Sequence, residues 1–168
     1  MGIATFPAVA PITSQVAETV ARSWGGGVGP TPVSAGAATL TLSALHNGRT
    51  VNLDQSGGTA VTLPAATGTG FKCRLVVSVA SNANTVLTLP TTDYFQGVAL
   101  VNDVGDSSAA TVDAYTAGST SNKLAPTTAG GGGAVGDYIE LEDIAAAKWA
   151  IKVVFRTSTD PVNPFTTQ

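Results

Sequence analysis

Three groups of side chains in this sequence have residue types that could do chemistry. His46, the only histidine, stands near Asp54 and Ser56, the three residue types of a charge-relay hydrolase. No nucleophile-elbow sequence accompanies them, and such a trio arises easily by chance in a Ser-rich chain, so an exposed turn histidine is expected. Asp103, Asp106 and Asp113 lie in NDVGDSSAATVD, and Glu140, Glu142 and Asp143 in DYIELED; either set offers hard oxygen ligands of the kind calcium takes. Neither has the spacing of an EF-hand or a repeat-type calcium loop. Glu140 and Glu142 share the outer face of an expected strand, where solvated carboxylates are the simpler reading.

Other chemistries lack their parts. Paired carboxylates for glycoside hydrolysis need a cleft of defined width, and Trp24, Trp149, Tyr94, Tyr115 and Tyr138 are few for a sugar-stacking cleft. GGGVGP and AGGGGAVG lack the Lys-Ser/Thr of a phosphate loop, and GTGFKC lacks the third glycine of a dinucleotide fingerprint. Cys73 is the single cysteine, which excludes an intrachain disulfide and a cysteine-based zinc site. It shares a parity with Phe71, Leu75, Val77 and Val79, as a small buried hydrophobe would. No catalytic residue, cofactor or metal is expected.

The elements that would position these residues are strands. In AATLTLSAL, Leu40 and Leu42 alternate with Thr39, Thr41 and Ser43, and Asn47-Gly48 then supplies a hairpin-turn dipeptide before RTVNLD. TAVTLP, FKCRLVVSV, TVLTLP, FQGVALV, ATVDAYTA, DYIELED and KWAIKVVF continue the period of two. In the last, Trp149, Ile151, Val153 and Phe155 face one way and Lys148, Lys152 and Arg156 the other. Pro64 and Pro90 cannot donate a ladder hydrogen bond, so Thr-Leu-Pro reads as strand punctuation. Two copies are too few for a solenoid repeat, which needs several at a fixed period. KLAPTTAGGGGAVG reads as a structureless loop.

Eight or nine short strands at turn-separated intervals predict an all-β fold, an antiparallel β-sandwich or barrel over residues 37–157. Residues 158–168 form a tail. Residues 1–36 differ: Pro7, Pro11, Pro30, Pro32 and a glycine patch mark an extended Gly/Pro-rich arm, with at most one short helix in ITSQVAETVARSW capped by Thr13 or Ser14. So short a helix needs a surface to dock on, and Phe6, Ile12, Val16, Val20 and Trp24 are its partner-binding anchors.

Length and charge set further bounds. The 168 residues suit one domain with an arm. Charged residues make up 11%, against ~25% in an ordinary soluble domain, which fits packing against copies of itself or a partner. A net charge of −3 with scattered Lys and Arg excludes a phosphate-neutralising stripe, so no nucleic-acid partner is expected. MGIATFPAVAPITSQ has neither a signal-peptide pattern nor, with Phe6 at the required Ser/Thr position, a myristoylation motif, and no apolar run approaches a membrane span. No membrane partner is expected.

The segment NGRTVNLDQSGGTAVTLPAATGTGFKCRLVV, followed by NTVLTLP and GDYIELEDIAAAKWAIKVV, resembles β-rich modules of tailed-bacteriophage virion structural proteins. Those modules run as a strand, an Asn/Asp-Gly turn, a strand ending in Thr-Leu-Pro, a glycine turn, a Gly-Asp-x-Ile-x-Leu strand and a Trp-x-Val strand. The likeness covers about residues 38–100 and 136–156 and is closest to a capsid decoration, or cement, protein. It implies a structural role on the outer capsid surface, assembly as a homotrimer, the major capsid protein as partner, synthesis in the host bacterial cytoplasm and no catalytic residues. Tail-fibre, head-fibre and baseplate modules that bind a host-surface glycan share the pattern and are the alternative.

Overall fold

A computed structural model describes residues 32–81, 85–105, 111–126 and 131–168. In chain order the strands are β1 (Val33–Ser34), β2 (Thr39–Thr41), β3 (Arg49–Leu53), β4 (Ala60–Thr62), β5 (Lys72–Val77) and β6 (Val86–Thr88). There follow β7 (Tyr94–Asp103), β8 (Thr111–Thr116), β9 (Lys123–Leu124), β10 (Tyr138–Ala145), β11 (Lys148–Thr157) and β12 (Phe165–Thr166), and one 3-10 turn, Ala44–His46, follows β2. The all-β expectation holds. A larger sheet has the order β1-β3-β5-β10-β11-β7-β8 and a smaller one the order β12-β9-β6-β4-β2.

Pairing is mixed rather than purely antiparallel. β1, β3 and β5 run parallel to one another, as do β2, β4 and β6, and β7 is parallel to β11; the remaining pairs are antiparallel. The cause is that the chain from β1 to β6 alternates between sheets, so each return to a sheet runs in the same direction. Asn47-Gly48 is therefore a corner and not a hairpin turn. Gly48, at φ 70°, turns the chain, its N–H donates to the Lys72 carbonyl, and Asn47 Oδ1 accepts the Lys72 N–H. The same geometry ends AATLTLSAL early: the strand stops at Thr41 and the 3-10 turn begins at Ala44.

Pro64 and Pro90 follow the ends of β4 and β6, as the punctuation reading expects, and the alternation also stacks the Thr-Leu pairs before them on a third, Thr41-Leu42. Thr41 is in register with Thr62 and Thr62 with Thr88. The following leucines, Leu42, Leu63 and Leu89, are all buried, and their N–H groups donate to Thr62, Thr88 and Asn122 in turn. The chain thus forms a short coil of stacked parallel rungs. Val33 pairs with Val51 and Val51 with Leu75, so successive rungs take 18 and then 24 residues. Rungs of unequal length leave no fixed period in the sequence.

One core lies beneath both sheets. Trp149, Phe95 and Phe155 are its largest fully buried side chains, with Leu75, Val51 and Ile139 from the larger sheet and Leu87, Val61 and Leu124 from the smaller. Phe71 meets Trp149 edge to face at 5.7 Å, a geometry the aromatic quadrupole favours. β11 buries the expected face, Trp149, Ile151, Val153 and Phe155. Within β7, Gly97 at φ 150° lies against Ile151, where a Cβ would come 1.8 Å from the Ile151 carbonyl oxygen, so only glycine fits.

Three short strands fall in segments expected to be irregular. Val33–Ser34, within the expected arm, pairs with β3, and Phe165–Thr166, within the expected tail, pairs with β9 and buries Phe165. Lys123–Leu124, within the expected glycine-rich loop, joins β6 to β12 with Leu124 fully buried. Two-residue strands are too short to carry a period. Among the described residues no helix is long and apolar enough to cross a membrane.

Candidate interaction surfaces

Several of the described aspartates bind the protein's own loops. Asp143 lies at the β-bulge where β10 turns into β11 through Ala145, Ala146 and Ala147, the last at φ 60°. Its carboxylate accepts the N–H groups of Thr67 (3.1 Å), Gly68 (2.7 Å) and Thr69 (3.1 Å) and the hydroxyls of Thr67 and Thr69. The TGTG turn has the small residues this wrapping needs: a Cβ at Gly68 would stand 3.2 Å from the Ala145 Cα. Burial pushes the Asp143 carboxyl up, but the amide groups of Gly68, Thr67 and Thr69 and the Thr69 hydroxyl outweigh it and hold it below the ordinary value. This carboxylate is a clasp that ties the 67–69 turn to the β10 bulge.

Three further aspartates act alike. Asp93 accepts the Ala66 N–H at 2.6 Å. Asp137, buried, accepts the N–H groups of Gly132 and Ala134 and pairs with Arg156 Nε at 3.3 Å. Burial raises the Asp137 carboxyl despite these partners. Asp54 accepts from the Ser34 hydroxyl, from Gly36 N–H at 3.1 Å and from the Gln55 amide. Those bonds hold its carboxyl below the ordinary value and fix the chain where β1 leaves the larger sheet.

The other candidates resolve as follows. His46 Nδ1 accepts the Ser43 N–H at 3.0 Å and lies 3.3 Å from the Ser43 hydroxyl, while Asp54 is engaged by Ser34, so the Ser-His-Asp trio is not joined. Asp103 is buried and accepts the Gly105 N–H, Asp113 is exposed on β8, and Asp106 lies outside the described residues. Cys73 is buried, and desolvation pushes its thiol up to about 12; Val79, placed on the same face by parity, lies beyond β5 and is exposed. Among the described residues no group of three or more His, Cys, Asp or Glu is placed to hold a metal. Phe6, Ile12, Val16, Val20 and Trp24, with the short helix expected around them, lie outside the described residues.

Among the described residues, the outer face of the larger sheet is a broad surface open to a partner. Strand register carries one row of outward side chains across six strands: Asn52, Val76, Tyr138, Val154, Leu100 and Ala114. Its four central members are half-buried. The neighbouring row, Thr50, Arg74, Glu140, Lys152, Val98 and Thr116, is charged in its middle. There Glu140 lies 3.9 Å from Arg74 and 4.0 Å from Lys152, and Arg74 also covers the Tyr138 ring at 4.3 Å; in the next row Lys72 pairs with Glu142 at 3.0 Å. A hollow of about 480 Å³ lies over these charges. Glu140 and Glu142 are thus on the outer face, as the alternation predicts, and the apolar row beside them is legible only once register is known. No protein-family model, curated protein or solved structure matches the chain.

Proposed function

We propose that this chain is a capsid decoration protein of a tailed bacteriophage, which binds the outer surface of the head as a homotrimer and tightens contacts between capsomers. The observation that carries the reading is the outer face of the larger sheet: an apolar row flanked by paired charges, the composition of a protein–protein contact with a dry centre and a polar rim. The aspartate clasps also support it, because they tie loops to the sheets and make a rigid block suited to load. In this reading the stretch carrying Phe6, Ile12, Val16, Val20 and Trp24 reaches adjacent copies of the major capsid protein. Each apolar side chain buried there contributes ~1.5–3 kcal/mol, and three linked copies turn a weak contact into a tight one. The reading requires no cofactor, nucleic acid, membrane or catalytic residue, and places the protein on the virion exterior after synthesis in the host cytoplasm.

The test is cosedimentation with heads that lack the chain. Wild-type protein should saturate them at a fixed ratio to the major capsid protein and raise the temperature at which they rupture, and a chain lacking residues 1–20 should do neither. Failure of the wild-type protein to sediment with heads would overturn the proposal. One observation favours a second reading as a fibre or baseplate module. Thr91, Thr92, Tyr94, Ser119, Thr120 and Gln168 line a hollow of about 360 Å³ whose hydroxyl and amide groups suit a host-surface glycan. Saturable binding of host-surface polysaccharide by the isolated protein, lost in Tyr94→Ala, would support that reading instead.

A further inference from the structure

Two described surfaces of this chain carry opposite charge. Arg49, Lys72, Arg74 and Lys152 line the hollow of about 480 Å³ on the outer face with only Glu140 and Glu142 against them, a local charge of +2 in a chain of net charge −3. The other four cations and nine acids of the chain sum to −5. Of those acids, Asp54, Asp93, Asp103, Asp137 and Asp143 accept hydrogen bonds from the chain's own groups. Asp113 and Asp160 are exposed. They sit close together: the Tyr115 hydroxyl donates to the Pro161 carbonyl at 2.7 Å, beside Asp160, and desolvation and the Asp113 charge push that hydroxyl up.

Both acids lie at the free edge of the larger sheet. β8 is the terminal strand there, all of it exposed except the half-buried Tyr115, and no strand covers its outer edge among the described residues. The Ala117 N–H donates to Gly97, so by alternation the backbone groups of Val112, Ala114 and Thr116 face that edge. An exposed edge of this length is a template for association, and Val112 adds an apolar side chain that is 62% exposed. Asp113 shares the inner parity of Tyr115, so it cannot meet the hollow of its own copy, which lies on the outer face. Two hollows face to face would set +2 against +2, which disfavours an isologous contact through this face. A head-to-tail contact sets the acids of one copy against the cations of the next, and such contacts close into rings.

We infer that the outer-face hollow of one copy is the docking site for the β8 edge of a second copy, with Asp113 and Asp160 entering among Lys72, Arg74 and Lys152. Edge-on, β8 presents side chains of both faces at once, so Val112 comes to rest on the apolar row of Val76, Tyr138 and Val154 beside the hollow. The inference rests on the proposed homotrimer for the number of copies and names the contact that closes it.

The test is sedimentation equilibrium of the full chain without heads, with circular dichroism melts to show that each variant folds. Wild type should sediment as a trimer. Reversing the edge, in Asp113→Lys with Asp160→Lys, should raise the dissociation constant about tenfold or more, and so should reversing the hollow, in Lys72→Glu with Lys152→Glu. The chain carrying all four reversals should associate again, because a basic edge then meets an acidic hollow. A monomeric wild type would overturn the inference and leave the hollow to a different protein. Association that survives the edge reversal, or four reversals that fail to restore what each pair removes in folded chains, would also overturn it. Cosedimentation with heads is read separately: a monomer that saturates heads overturns this contact and leaves capsid binding standing, whereas a ring held by these charges that ignores heads supports the contact and overturns the decoration role.

Discussion

Asp143→Asn tests the claim that the aspartates are clasps. Asparagine keeps the shape of the side chain but removes the charge and turns an NH2 group toward amide hydrogens that need an acceptor. Hydrogen bonds to a charged group contribute ~1.5–3 kcal/mol each, and Asp143 receives them from three amides and two hydroxyls. Thr67, Gly68 and Thr69 are themselves exposed, so water replaces part of what is lost, and the net cost comes to ~2–3 kcal/mol. At ~2–4 °C per kcal/mol for a chain of this size, thermal unfolding should shift down by about 4–12 °C. The pH dependence follows from the depressed carboxyl. Its contribution is complete above the ordinary value of 3.8 and is lost as pH falls through the lower folded-state value. The gap between wild type and variant, followed by circular dichroism melts, should therefore narrow only below that pH. A shift of less than about 2 °C at neutral pH, or a gap that widens with acid, would refute the clasp.

Other outcomes follow from the same structure. For Asp137, whose carboxyl is raised by burial, the sign reverses: its contribution is complete below the unfolded value and is lost as pH rises through the folded one, so wild type should gain on Asp137→Asn as solutions are acidified. Paired melts across the acid range check this. Gly97→Ala, with its Cβ driven onto the Ile151 carbonyl, should cost more than about 4 kcal/mol and abolish cooperative melting. Gly57→Ala, with nothing within 4 Å, should stay within about 0.5 kcal/mol. Cys73, buried with its thiol pushed up to about 12, should resist a thiol reagent at neutral pH and react only as urea unfolds the chain, with a labelling midpoint that matches loss of circular dichroism.

The strands were legible in the sequence where side chains alternate over six or more residues, as in β5, β10 and β11, because burial on one face writes itself into the pattern. Their partners were not. Asn47-Gly48 carries a hairpin signal, yet Leu42 must pack beneath Leu63 and Val51 beneath Leu75, so the chain crosses to the other sheet instead. Parallel stacking has no periodicity of its own, and rungs of unequal length concealed the ladder of Thr-Leu pairs. The clasps were hidden by distance: Thr67 and Asp143 are 76 positions apart, and only the fold brings TGTG to the bulge. An acidic residue closing a strand together with a Thr-Gly-Thr-Gly turn elsewhere is the signal that could have paired them. The outer-face row was equally invisible, since Val76, Tyr138, Val154 and Leu100 come from four strands.

The most direct test of the proposed decoration role is the number of copies of this polypeptide per copy of a major capsid protein, measured by quantitative mass spectrometry on phage particles purified from cells that make the chain. A decoration protein should be present at an abundance comparable to the capsid protein, in a fixed ratio across preparations. A few copies per particle, or none, would contradict the account.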